Sequence, residues 1–421
     1  MAQRLLRAGR SVILLDEGGA EVPAPLAVLP LTDGPQVRWY GAGDDLALPR
    51  GRGLGGSAQI NAGYFLRWHR TDVADWPWPP SAIDRAYGLV DGGQCRGGQG
   101  GGGQAGGGQA GGGLLSADLI ADAELAPIAA AFEEAAMATG LSPVAGPWTD
   151  VGINRLRLNR RHGKRWTAWN AVASSVSSTV QQHVRVDRLW HSGSTWRIET
   201  GVGQYRSPLV VLAAGTFGTA RVLLGSGIVD SPLSFIEHRE RLIRYRPRVD
   251  GGAASALLHT VIHLPNSVEI RPYNGGFSSY IPGVAPDLAA VGVAAMRPGG
   301  RGMLALGSDG ELQVELPRPT AEDRSRLDLG VQTVRALLAS PPLRRLVEPG
   351  TVAVDDYLGT SQHGCSTMPL GEAVSSAGKV PGCDGLYIAD GSVLPPGGSA
   401  GPHATIAAAA AVIGEGLASL P

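Results

Sequence analysis

Gly385 to Pro396 reads GLYIADGSVLPP. Leu386 to Ala389 form an apolar run of the buried-strand type that ends in Asp390-Gly391. Small residues follow, leading into ATIAAAAAVIGEGLASL, an Ala-rich helix that closes the chain. A strand, a glycine-containing turn and a helix N-terminus together make a cradle for a phosphate or an anionic ring. His363 and His403, forty positions apart, flank this block. Two imidazoles delivered to one place can move a proton near neutral pH.

Length and composition bound the rest. A chain of 421 residues exceeds one small core and predicts two domains, interleaved in sequence. The net charge of -1, with no basic stripe, argues against a nucleic-acid partner. Cys95, Cys365 and Cys383 show no Cys-x-x-Cys pairing, so neither a disulfide framework nor a metal site is indicated, and a reducing, cytoplasmic setting fits. No run of about 18 apolar residues predicts a transmembrane segment. Met1 to Leu15 lacks the apolar core of a signal peptide. Peripheral association with the inner face of a membrane stays open.

Ser11 to Leu15 (SVILL) reads as a parallel strand buried on both faces, preceded by the end of an amphipathic helix that Gly9 stops. Helix, strand and then Asp16 form the second half of a dinucleotide-binding βαβ unit, where the acid holds the adenosine ribose. The phosphate-binding glycines belong about 20 residues earlier, so the chain is expected to begin inside the motif. Gly92 to Gly113 is a low-complexity Gly-rich insertion with no catalytic role. Ala121 to Thr139 reads as a helix ended by Gly140. His183 to Leu189 and Thr195 to Thr200 read as a hairpin, and Ser207 to Ala213 as a buried strand entering a helix at Thr219 to Leu224. Arg239 to Met303 alternates as antiparallel sheet, and Thr320 to Leu338 as helix.

A second block, GRGLGGSAQINAGYF (Gly51 to Phe65), offers glycines for close backbone approach, with Ser57 and Asn61 at the start of an expected helix. Together with Thr216 to Ile228 (TFGTARVLLGSGI), His363 to Thr367 (HGCST) and IADGSVLPP followed by GPHAT, it resembles the ordered signatures of the glucose–methanol–choline (GMC) flavin oxidoreductases. The sequence departs from the family pattern at Ala58, Ala220, Val229 and Ser366. NAGYFLR, HGCSTMPLG and SAGPHATI are similar to the GMC enzymes of the mycofactocin system.

The resemblance implies an α/β (α+β overall) fold, with a doubly wound Rossmann-like FAD domain and a discontinuous antiparallel-sheet substrate domain. Residues 1–75, 150–235 and 351–421 would form the first; 76–149 and 236–350 would form the second and its cap. It also implies FAD-dependent oxidation of a CH–OH group. The substrate would be a small-molecule alcohol or a mycofactocin-type redox cofactor, and the electrons would pass to a non-oxygen acceptor of the respiratory chain. Alternatives are an oxygen-using alcohol oxidase and a non-catalytic remnant that holds FAD poorly. Asp16 would hold the ribose and the Val186 backbone the adenine. Gly55, Gly56, Ser57 and Asn61 would line the flavin, Asp390 and Gly391 would meet the pyrophosphate and ribityl region, and His363 and His403 would face the ring. Ile60 stands where covalent members carry a flavin-linked His, implying non-covalent FAD. His238, His259 and His263 read as structural or surface residues, and Cys365 as a packing residue.

Overall fold

The structure is a computed structural model that describes residues 1–20, 34–43, 46–92, 113–115, 117–248, 255–274, 285 and 287–420. The interior of the Gly-rich insertion, with Cys95, lies outside the described residues, as do parts of the 239–303 run. No described helix is long and apolar enough to cross a membrane.

Six strands form the largest sheet, in the spatial order Ala353–Thr360, Arg239–Tyr245, Ala289–Ala295, Val268–Pro272, Thr260–Leu264 and Gly152–Arg155. All its pairings are antiparallel. Period-2 alternation sorts its side chains. Val268, Ile270, Val291 and Val293 point to one face and pack against Leu327, Val331 and Val334 of helix Ala321–Ala339 and Phe132 of helix Pro127–Ala138. The polar residues Glu269 and Arg271 point the other way, yet they are buried as well. A second layer therefore covers the face that alternation alone assigns to solvent.

Parallel pairing occurs at Leu14–Leu15 with Val180–Gln181 and at Val210–Leu212 with Leu386–Ile388. The SVILL expectation needs correction. Its strand is two residues long, half-buried, and pairs with one neighbour among the described residues, while Ile13 is 60% exposed. With Leu14 and Leu15 half-buried and Ile13 in solvent, the run is not enclosed on two faces. The expected helix over 121–139 is a 3₁₀ turn, Asp122–Glu124, followed by a helix that starts at Pro127, because proline suits the first helical position and not the interior. The hairpin of Val186–Ser192 and Thr195–Thr200, the helix Gly215–Gly225 and the helix after Thr320 lie where the sequence places them. Thr320 Oγ1 accepts from Asp323 N–H at 3.1 Å while the Asp323 carboxylate accepts from Thr320 N–H at 2.9 Å, a reciprocal cap.

Gly330 lets helix Ala321–Ala339 approach the sheet: a Cβ there would lie 2.3 Å from Val293 Cγ1 and 2.8 Å from Val268 Cγ1. Ala is favoured over Gly in a helix by about 1 kcal/mol. Overpacking costs about 1–3 kcal/mol, and these valines are fully buried, so the steric term wins. Gly330→Ala is expected to lower the urea midpoint; an unchanged or raised midpoint contradicts this packing.

Candidate active site

His403 is the first residue of the closing helix His403–Ala418, and its ring stands edge-on to Phe65 at 5.2 Å. Its Nδ1 lies 3.3 Å from the side-chain amide of Asn61. Asn61 Oδ1 accepts from Gly63 N–H at 2.9 Å and from the Arg165 guanidinium at 2.9 Å. Those two donors fix the orientation of the amide, so Nδ2 faces His403 as a donor and Nδ1 of His403 accepts. The neutral ring then carries its proton on Nε2. Burial, with Arg165 adding to it, pushes the His403 pKa down to about 4.

The Gly-rich block approaches by glycine geometry. Gly55 and Gly56 have φ of 98° and 54°, and the chain then makes a 3₁₀ turn, Gly56–Gln59, not the helix expected at Ser57 and Asn61. Ser57 Oγ accepts from Gly51 N–H at 3.0 Å, which folds the turn back on itself. Tyr64, just beyond it, lies against the closing helix. A Cβ at Gly401 would stand 3.1 Å from the Tyr64 ring and 3.3 Å from His363 Nε2. His363 Nε2 therefore faces the segment that leads into His403.

His363 has a partner that sequence reading missed. Its Nδ1 is 2.9 Å from Nδ1 of His238, with the rings at 88°. Its backbone N–H donates to Glu237 at 2.7 Å, and Arg50 pairs with Glu237 at 3.2 Å. Burial, then Arg271 and His238, holds the His363 pKa well below its ordinary value. His238 falls to about 4, through burial and then Arg271.

Beneath these rings lies a buried polar network on the inner face of the large sheet. Tyr64 donates its hydroxyl to Glu269 at 2.7 Å, and His263 Nε2 meets the same carboxylate at 2.6 Å. Arg271 bridges Glu269 and Glu240 and donates to Ser361 Oγ at 2.6 Å. Tyr273 donates to Glu240 at 2.8 Å. Gly292 makes room, since a Cβ there would strike Glu240 Oε1. Burial opposes charge on Glu269, but Arg271 and the donors around it hold its pKa below the usual carboxylate range.

The remaining expected residues fall in two places. Asp390 accepts from Ser392 N–H at 2.9 Å and from Thr219 Oγ1 at 2.5 Å. Its carboxylate thus clamps helix Gly215–Gly225 to the Gly391–Val393 turn. Beside it are the buried hydroxyls of Ser392 and of Thr367, whose Oγ1 has no hydrogen-bond partner among the described residues. Ser366 N–H and Met368 N–H donate to the carbonyls of Gly391 and Ser392, which brings these hydroxyls onto one small surface. A polar group placed against that surface would satisfy the Thr367 hydroxyl. Farther off, Asp16 Oδ1 accepts from Gly18 N–H at 2.8 Å, and the Val186 carbonyl accepts from Arg221. Glu17, Val37, Arg38, Arg52, His183 and Arg185 line a cavity of about 410 Å³ next to Asp16. Cys365 is buried and its thiol is pushed up to about 12 by burial, so it is inert as a nucleophile.

Depressed histidines carry a sign. The unfolded chain takes up protons on these rings as pH falls through about 6.5, whereas the native rings wait until about 4. Their contribution is complete above pH 6.5 and is lost as the pH falls toward 4. The urea midpoint is expected to drop between pH 7 and pH 5, and the drop should narrow in His403→Asn; an identical drop in that variant contradicts a neutral, buried His403.

Residues 308–410 match the family described as GMC oxidoreductase. A GMC-type oxidoreductase of Rhodococcus erythropolis, from the thcA 5' region, is 26% identical over 85% of this chain and 80% of its own length. Pyridoxine 4-oxidase of Microbacterium luteolum is 24% identical, covering 95% of this chain and 93% of its own. Among solved structures, pyridoxine 4-oxidase from Mesorbium loti superposes with a TM-score of 0.82 at 20% identity, over 99% of this chain and 96% of that one. Formate oxidase superposes with a TM-score of 0.78 at 17% identity, over 98% and 95%. The order of signatures, the mixed helix and antiparallel-sheet fold and these likenesses agree: residues 308–410 match the GMC oxidoreductase family, and the whole chain is similar to GMC-type oxidoreductases in sequence and fold.

Proposed function

We propose that this protein is an FAD-dependent alcohol oxidoreductase in which His363 and His403 bind and deprotonate a CH–OH group. The observation that carries the reading is the pair of neutral imidazoles, His363 with Nε2 toward Gly401 and His403 two residues beyond it, their ring nitrogens held by different protein partners. FAD relatives support the cofactor: an FAD-dependent oxidoreductase from Chaetomium thermophilum superposes with a TM-score of 0.73. The residues present fit the group. Thr367 and Ser392 would meet its phosphate or ribityl oxygens, Gly55, Gly56 and Ser57 would lie along the ring, and Asp16 would hold the ribose. Asp390 would act through the turn it clamps. Ile60, buried beside Asn61, offers no nucleophile, which supports non-covalent attachment.

When bound, FAD would supply the acceptor for the hydride, one proton with two electrons, that leaves the alcohol carbon. The protein must then take the hydroxyl proton, and a neutral imidazole does so near pH 7. His403 presents Nε2–H because Asn61 donates to its Nδ1, so it suits holding the substrate oxygen as a donor. His363 is left as the acceptor. Burial, with Arg165 adding to it, keeps His403 neutral. An uncharged pair also keeps the charge of the site unaltered when an alcohol enters.

The electron acceptor divides two readings. The HGCSTMPLG and SAGPHATI blocks favour a dehydrogenase of the mycofactocin type with a respiratory acceptor. The relatives named for pyridoxine 4-oxidation and formate oxidation favour an oxidase. Reoxidation of alcohol-reduced enzyme by oxygen, compared with an artificial acceptor, separates them: rapid reoxidation by oxygen overturns the dehydrogenase.

His363→Asn is expected to slow flavin reduction by alcohol by roughly 10²–10⁴-fold. His403→Ala should slow it while changing FAD content little. Stopped-flow absorbance and the flavin-to-protein ratio read the two effects separately. Equal loss of both, in both variants, would falsify these roles.

A further inference from the structure

We propose that His238 is a positioning residue, accepting the Nδ1 proton of His363 and so leaving the His363 lone pair on Nε2, the nitrogen that faces Gly401 and the start of the closing helix. The inference rests on the base role of His363. Two neutral imidazoles facing each other through Nδ1 at 2.9 Å share one proton, and its side sets both tautomers. If His238 donated, His363 would carry its proton on Nε2 and present a second N–H beside that of His403. The site would then hold two donors and no base.

The surroundings favour the other arrangement. His238 is 1% exposed, and the Gly398 backbone is an acceptor that bears on its ring. The Gly398 backbone acts on the His238 ring in the direction that favours a proton there. A proton on His238 Nε2 leaves its Nδ1 bare, as the acceptor His363 requires. Nor can charge replace the bond: burial, and after it Arg271, depresses both rings, so neither becomes imidazolium near neutral pH. The groups around His363 are His238 and Glu237 from the strand edge, Arg50 from the hairpin before the Gly-rich turn, and Arg271 and Glu269 from the sheet. Among these only His238 touches a His363 ring nitrogen. Glu237 holds the backbone N–H of His363 at 2.7 Å, so the main chain is anchored apart from the ring.

Opposite tautomers follow for the two active-site imidazoles, set by neighbours of opposite hydrogen-bond polarity. Asn61 donates to His403 and makes it a donor at Nε2; His238 accepts from His363 and makes it an acceptor there.

The test is histidine ¹⁵N NMR on the flavin-loaded protein, with His363 assigned by its loss in His363→Asn. The expected spectrum shows a pyridine-type Nε2 and a pyrrole-type Nδ1 for His363. A pyrrole-type Nε2 in an active enzyme overturns the proposal. His238→Phe, which cannot accept the proton, is expected to slow flavin reduction on the order of 10–100-fold, the scale on which hydrogen-bonding partners of functional histidines act. KM and FAD content should stay near their starting values. His238→Asn, whose side-chain oxygen can take the place of Nδ1, should recover most of the rate. Equal losses in both variants with an unchanged His363 tautomer also overturn it. Undiminished flavin reduction in His363→Asn would instead remove the base reading itself.

Discussion

Arg271, set between Glu269 and Glu240 on the inner face of the large sheet, constrains everything above it. Taking three charges out of water is expensive, and attraction offsets the cost only when every lone pair and proton finds a partner. Here Tyr64, His263, Tyr273 and Ser361 supply those partners. Each leads toward the site. Tyr64 continues to Gly401, and Ser361 lies two residues before His363. Removing Arg271 would strand two buried carboxylates, a change of about 3–5 kcal/mol. The network therefore resists piecemeal alteration, and its cation adds to burial in holding the two facing histidines neutral.

That electrostatic floor explains why the site is built from neutral groups. A buried imidazolium would face Arg271 without compensation, since both neighbouring carboxylates are already engaged. Proton chemistry is left to the tautomers of neutral rings, and a tautomer is set by contact and not by distance. Asn61 and His238 are consequently as much a part of the geometry as the rings they touch. Arg165 belongs with them, because its hydrogen bond to Asn61 Oδ1 turns the amide toward His403.

How much of this was legible depended on whether the interaction is local. The closing helix, the antiparallel run and the cap at Thr320 follow from period and capping chemistry within a few residues. The blocks that carry Asn61, His363, Asp390 and His403 could be recognised because each keeps its chemistry in one short stretch. Ser57 misled: glycines with positive φ favour a tight turn, and the helix expected there is a 3₁₀ turn. His238 was invisible, sitting in FIEHRERLIRY among charged residues that look like a solvent-facing strand. Glu240, Glu269 and Arg271 were hidden for the same reason. Alternation separates two faces of a strand but does not say what covers the second.

Asp390 shows the complementary limit. Its position in an Asp-Gly pair allowed either a turn cap or a ligand contact, and the structure fills its carboxylate with Ser392 N–H and Thr219 Oγ1. The two readings are then less opposed than they look. A carboxylate that clamps the turn also fixes Ser392, so the acid can shape its surroundings through the backbone it holds. Distance from the ligand does not make such a residue incidental. The clamp holds the Ser392 turn in place against helix Gly215–Gly225, which a turn of small residues would not do alone.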